Sequence, residues 1–303
     1  MIFKSYQQNI SSLLAVALLI ISFNAFAQSD PLSLDDVPTE KVFVKEAFNA
    51  PQIIYTQSTN MVERKRLDFV LGHRFGKFNE GAFNAFGFDQ AFVRIAFEYG
   101  ITDWLTVGVG RSSVGKTFDS YLKSRILVQG GPKNIPVSAV IVMNASLSAY
   151  ELNRQKDLSG DAQLANHLVY TIQSSISRQF SSRFSIQLTG SMVHRNLVID
   201  DTYSNDVFGM GGGARIKLNK RIHFVGEYTY TFNNPDNIKN PYAIGVEIVA
   251  GGHVFTLYSA NGAGILEKSG ITETEDSELR FGFSVRRSFR LGKPEVEGGK
   301  VKY

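Results

Sequence analysis

Polar and apolar residues alternate with period two along most of the chain, the mark of strands that present one apolar and one polar face. In DQAFVRIAFEYG, Ala91, Val93, Ile95, Phe97 and Tyr99 share one side, and Gln90, Arg94 and Glu98 share the other. RIHFVGEYTYTF repeats the pattern with Ile222, Phe224, Tyr228, Tyr230 and Phe232 opposite His223, Glu227, Thr229 and Thr231. RFSIQLTGSMVHR does so with Phe184, Ile186, Leu188 and Met192. Further alternating runs at 65–75, 104–112, 117–129, 136–148, 168–180, 208–219, 242–250, 253–260 and 278–291 bring the expected number of strands to twelve. The run KTFDSYLKSRILVQ also fits helical spacing through Phe118, Tyr121, Leu122, Arg125 and Ile126. A lone helix there would leave two strand edges unpaired, so a strand is expected.

Connections between these runs alternate in length. Residues 101–103, 181–182, 218–220 and 251–252 are short turns, whereas 76–87, 150–167, 196–207 and 262–277 are longer loops of polar character. Short turns at one end and long loops at the other describe a transmembrane antiparallel up-and-down β-barrel over 65–291, with both chain termini on the short-turn side. Composition supports this all-β class. Aromatics make up 12% of the chain, and Phe75, Tyr99, Trp104, Phe180, Phe184, Phe232, Tyr242 and Phe289 fall near strand ends, where barrel girdles sit. The competing architecture, a soluble sandwich or lipocalin-like barrel, ordinarily has fewer strands.

The N-terminus sets the compartment. Lys4 precedes an apolar run from Leu13 to Ile21 that closes on Ala25-Phe26-Ala27. That run is shorter than the about 20 residues of a spanning helix, so residues 1–27 read as a signal peptide cleaved before Gln28 and directing the chain to the bacterial outer membrane. Absence of cysteine removes disulfides, thiolate chemistry and cysteine-based zinc sites together. The net charge of +4 falls to +3 with Lys4, which gives no reason to expect nucleic acid. Residues 28–64 are expected as a periplasmic N-terminal segment, partly disordered, in which Ile53, Ile54 and Tyr55 form a short strand or fold into the barrel mouth. About 37 residues are too few for the large plug of an energy-coupled transporter. Residues 292–303 are expected as a flexible periplasmic tail.

Three segments, RLDFVLGHRFG, GFDQAFVRIAFEYGITDWLTVGVGRS and KTFDSYLKSRILVQ, resemble a family of bacterial outer-membrane β-barrels catalogued as a domain of unknown function. The likeness rests on the YGITDWL turn and the GRS…KTFD…LK run and extends from about Phe48 to Leu291. It implies a single barrel carrying a signal peptide, with no ligand or catalytic residue to carry over.

Candidate chemistry has to be weighed against that architecture. GRSSVGKT, Gly110 to Thr117, matches the phosphate-binding P-loop pattern, and LVIDD at 197–201 imitates the aspartate that holds its metal. The pattern works only when a helix follows, and here it falls between two antiparallel strands in an exported chain, so no nucleotide is expected. GMGGGAR, Gly209 to Arg215, likewise lacks the helix of a dinucleotide fold, and its glycines are read as sites of sharp curvature or close loop approach. His253 and Ser259 in HVFTLYSANG lie six residues, roughly 20 Å of strand, apart, too far for nucleophile and base. Spacing of the histidines suggests no metal site. No catalytic residue, cofactor or metal is therefore expected.

On the inward faces basic residues outnumber acidic ones two to one. Arg94, Lys123, Arg125, Arg215 and Lys217 are expected to form a basic wall facing water, which would make the barrel a passive channel for small solutes, anions among them. The alternatives are a lumen closed by pairing of these charges, giving a non-conducting barrel that scaffolds envelope partners, and more remotely an outer-membrane hydrolase. Expected partners are membrane lipid, the barrel-assembly machinery and small anions.

Overall fold

The computed structural model describes residues 43–44, 46–159, 164–198 and 201–291, together with the dipeptides 296–297 and 300–301. The expected signal peptide, the acidic stretch after it and most of the tail lie outside the described residues. Val296–Glu297 pairs with Lys300–Val301 as a two-stranded unit.

Twelve strands form the barrel: β1 (Arg66–Lys77), β2 (Ala91–Thr102), β3 (Leu105–Ser112), β4 (Thr117–Leu127), β5 (Ser138–Ser148), β6 (Leu168–Ser181), β7 (Phe184–Arg195), β8 (Asp206–Lys217), β9 (Ile222–Phe232), β10 (Tyr242–Ala250), β11 (His253–Ala260) and β12 (Arg280–Arg290). Each pairs antiparallel with the next, and β12 closes on β1 from Arg290↔Arg66 to Arg280↔Lys77. Closure leaves no strand edge unpaired. Among the described residues no helix is long and apolar enough to cross a membrane.

Alternation fixes which face is which. Ile244 and Leu257 are 64% and 56% exposed, while their chain neighbours Ala243 and Thr256 are buried. The exposed face carries apolar side chains on every strand and the enclosed face carries charges, amides and hydroxyls, the inverse of a soluble core. The ambiguous 117–129 run is a strand up to Leu127. Its last residues, Gln129–Gly130, leave the barrel and pair with Phe43–Val44.

Gly110 to Thr117 forms the hairpin between β3 and β4, with a single 3-10 turn at Val114–Lys116 followed by a strand. Loops at the opposite end from the short turns depart from the expected polar character in two places. The β1–β2 loop carries Phe78, Phe83, Phe86 and Phe88; Phe78 and Phe88 pack on the outward-facing Phe75 and Phe281 at the rim, and Phe86 stacks on Phe78. The β11–β12 loop folds inward, burying Ile265 to Thr272 and forming a short helix, α2 (Glu267–Thr272), inside the barrel. The β5–β6 loop holds the polar helix α1 (Ala149–Ser159).

The largest departure is upstream of β1. Residues 47–62, expected on the periplasmic side or at the mouth, lie inside the lumen with nearly every residue buried. The reason is complementarity with the wall. Phe48, Ile53, Ile54 and Tyr55 pack on Val225, Ala243, Tyr258 and Ala260, the small and apolar inward positions of β9, β10 and β11. Burial of an aliphatic or phenyl side chain of this kind contributes about 1.5–3 kcal/mol. Glycine makes the room. A Cβ at Gly213 would stand 2.5 Å from Ile53, and one at Gly100 would stand 2.1 Å from the carbonyl of Glu63, where the segment returns to the wall beside β2. Within GMGGGAR, Gly213 thus serves close approach by the N-terminal segment, while Gly211 makes room for Thr229 of β9.

Candidate functional site

Among the described residues, buried polar groups converge in the lumen, and the inserted segment occupies it. Its chain turns at Gln52 to Gln57, which form an antiparallel bridge, with the Ser58 amide donating to Pro51 O at 2.9 Å. Around this turn the wall offers groups that read main chain. The Gln57 amide donates to Gln173 Oε1 (3.1 Å), and its carbonyl accepts from Ser175 Oγ (3.1 Å) and Gln187 Nε2 (2.8 Å). Glu227 accepts from the Tyr55 amide, the Thr56 amide (3.1 Å) and Thr56 Oγ1 (2.5 Å). Lys123 Nζ donates to Pro51 O at 2.8 Å and to Gln57 Oε1 at 3.2 Å. Asn49 bridges two charges, donating to Glu247 Oε2 at 2.6 Å and accepting from Arg215 Nη1 at 3.1 Å.

From the long-loop end the β11–β12 loop meets the segment. Arg74 donates to Tyr55 Oη (2.9 Å), Gly262 O (2.7 Å) and Gly264 O (2.6 Å) and lies 4.6 Å from the Tyr55 ring centroid. Gln57 Nε2 donates to Glu267 Oε1 at 2.8 Å. Burial pushes the Glu267 carboxyl above the usual carboxylate range, with Arg94 and the Gln57 hydrogen bond opposing. Burial likewise raises the Tyr55 phenol against the pull of Arg74. At the rim, Asp276 anchors the loop to Lys77 (2.9 Å) and Arg280 (3.0 Å). Burial would raise its carboxyl, but the hydrogen bonds from Arg280 and Lys77 bring it down to about 2.

A second set of charges is satisfied within the wall itself. Arg94 on β2 meets Asp119 on β4 at 2.6 Å, and Arg286 on β12 meets Asp68 on β1 at 2.9 Å and Glu98 on β2 at 2.5 Å. The expected basic wall is therefore not assembled as a water-facing surface. Arg94 is spent on Asp119. Lys123 and Arg215 are buried against the inserted segment. Arg125 donates to Asp103 O at the short-turn end, and Lys217 closes β8 at that same end. The physical reason is that protein groups reach Arg94, Lys123, Arg125 and Arg215, each of which has an acceptor of its own.

His253 and Ser259 stand at opposite ends of β11 and are not brought together. Sequence reasoning missed the roles of Glu227, Glu247, Gln173 and Gln187. Their inward direction was legible from alternation, but nothing in the strand pattern signals that a segment more than a hundred residues upstream bonds to them.

No curated protein matches the sequence. Among solved structures the chain is similar to the NanC porin, at 12% identity over 72% of this chain and 98% of that one with a TM-score of 0.49. It is similar to the KdgM porin at 8% identity, over 74% and 99% of the two chains, with a TM-score of 0.46. It is similar also to the outer membrane protein Omp33 of Acinetobacter baumannii, at 8% identity over 74% and 98% with a TM-score of 0.40. A closed barrel with an apolar exterior and an ionic interior accords with the family model described as Membrane bound beta barrel domain (DUF5777), which matches residues 48–289, and the chain belongs to that family.

Proposed function

We propose that the protein is an outer-membrane channel for small anionic solutes, held shut by its own N-terminal segment. One observation carries this reading: Arg74, Lys123 and Arg215 make no ion pair with a carboxylate among the described residues, and take acceptors from the inserted segment, the inserted loop or, for Arg215, also Ser185. A lumen meant only to be filled would be cheaper with such positions neutral or paired within the wall. Withdrawal of residues 46–62 exposes these three cations together with Glu227, Glu247 and, from the inserted loop, Glu267, while Arg94 stays paired with Asp119 and Arg286 with Asp68 and Glu98. Unlike Arg94 and Arg286, none of the three cations is held by a carboxylate of the wall, so each attracts small anions locally, within a Debye length of about 8 Å at physiological salt.

Planar-bilayer recording of the mature chain and of a chain lacking residues 46–62 tests this. The mature chain should conduct little, and the deleted chain should conduct with an anion preference that weakens as salt rises. The inward fold of the β11–β12 loop favours a second reading, a non-conducting barrel that scaffolds envelope partners. A folded deletion variant that stays silent in the bilayer would support that reading and end the channel, and a conducting variant that prefers cations would end the assignment of anions.

A further inference from the structure

The P-loop-like hairpin is not used by the lumen, and its outward side is distinctive. On the apolar exterior at the long-loop end, Val93, Ile95 and Phe97 of β2, Val109 and Arg111 of β3, and Phe118 of β4 line a groove of about 440 Å³. The register sets its shape: Ile95 stands beside Arg111 and Phe97 beside Val109, while Val109 is paired with Ser120, whose small side chain leaves a hollow below the Phe118 ring. From Val93 to Phe97 the groove runs about 13 Å along the strands, from the rim toward the middle of the apolar band.

Arg111 lines its upper end, and Lys116 follows in the adjoining turn. Arg111, one residue from the end of β3, is exposed and lies with its guanidinium 5.4 Å from the Phe118 ring centroid. Lys116 is exposed in the turn, held at a φ of 48°, where glycine or asparagine would sit with less strain. Among the described residues neither cation makes an ion pair with a carboxylate. The turn's backbone offers no phosphate cradle, because the amides of Ser113, Val114 and Lys116 already donate to Val93 O, Ser112 Oγ and Ser113 O. Any anion at this hairpin must be met by side chains. An unpaired guanidinium at the boundary between hydrocarbon and headgroup, above an apolar trough continuous with the lipid-facing wall, matches the chemistry of an anionic lipid.

We propose that this groove is a binding site for a phosphate-bearing lipid, with one acyl chain along Ile95, Phe97 and Val109 and the headgroup phosphate at Arg111 and Lys116. The site is independent of whether the lumen conducts. Arg287, also outward and stacked over Phe289 at 4.9 Å, sits near the short-turn end and does not line this groove, so it serves as an internal control.

Native mass spectrometry of the mature barrel in neutral detergent, titrated with phosphatidylglycerol and with phosphatidylcholine of the same acyl chains, tests the proposal. Phosphatidylglycerol should be retained in preference. Arg111→Gln and Lys116→Gln should each weaken its retention about fivefold, the effect of removing one cation near a lipid surface. Val109→Trp, which fills the groove without changing charge, should also weaken it, and Arg287→Gln should leave it unchanged. Equal retention of the two lipids, an equal loss in Arg287→Gln and Arg111→Gln, or no effect of Val109→Trp would each overturn the site. Heat-shifted gel mobility of every variant confirms that the barrel is folded when it is measured.

Discussion

The two arcs of the lumen wall solve the same electrostatic problem in different ways. On the arc formed by β12, β1, β2 and β4, Arg286 lies against Asp68 and Glu98, and Arg94 lies against Asp119, so these two cations are met by carboxylates of the barrel itself, whereas Arg74 and Lys123 of the same arc reach the inserted loop and segment. On the arc from β6 to β10, Glu227, Glu247, Gln173 and Gln187 are satisfied by residues 49–57 of the inserted segment. A charge cancelled inside the wall stabilises the barrel whatever fills it. A charge cancelled by the segment stabilises only the closed state. The difference identifies the polar groups that belong to the scaffold and those that belong to the latch.

The strongest way to break this comparison is on the scaffold arc. Asp119→Ala strands Arg94 without a counter-charge and should cost about 3–5 kcal/mol of barrel stability, seen as a lower urea midpoint of the protein folded in vesicles. Hydrogen exchange of the Tyr55 and Thr56 amides should change little until the barrel itself melts. Glu227→Ala is the mirror experiment. It orphans three donors of the inserted segment and should weaken closure by about 1–3 kcal/mol, so the same amides exchange faster while the urea midpoint holds. If both variants move the same observable, scaffold and latch are one cooperative unit and the division fails.

The smallest effect sharpens the comparison through pH. Glu267 has its carboxyl raised by burial in the inserted state, so insertion gains stability as pH falls through that raised value toward the ordinary carboxylate range. Asp276 is depressed to about 2, so its anchoring of the loop is fully present above about pH 4 and fades only as pH falls toward 2. Of these two loop groups, only Glu267 responds between neutrality and mild acid. Exchange protection of residues 262–274, corrected for intrinsic rates, should rise on acidification in the natural chain and stay flat in Glu267→Gln. A fall in protection over that interval would contradict the sign.

Much of the fold was legible because a barrel strand is a local object. The alternation of Arg94, Ala96 and Glu98 with Ile95 and Phe97 states which side chains are enclosed before any partner strand is known, and length states the end of most connections, the short 113–116 turn at the long-loop end and the longer 128–137 connection at the short-turn end being exceptions. The loops were less legible. FNEGAFNAFGF reads as a connection by position, yet its Phe78 and Phe88 pack back on Phe281 and Phe75 because those rings offer an apolar face at the rim. The β11–β12 loop contains Ile265, Leu266 and Ile271, apolar enough to be buried, but only the shape of the lumen decides that they turn inward.

The sequence by itself determined the strands, their number, the sign of each face and the antiparallel order, since these follow from period-two patterning and from the need of every backbone group for a partner in lipid. Tertiary structure alone decided the state of the lumen. Which inward charge meets which depends on strands that closure brings together: Arg286 reaches Glu98 across 188 residues because β12 pairs with β1 and β1 with β2. The segment at 47–62 has no period to betray it. Its place is set by hydrogen bonds to Glu227, Gln173 and Glu247, 116 to 198 residues away, and such long-range complementarity leaves no trace in local pattern.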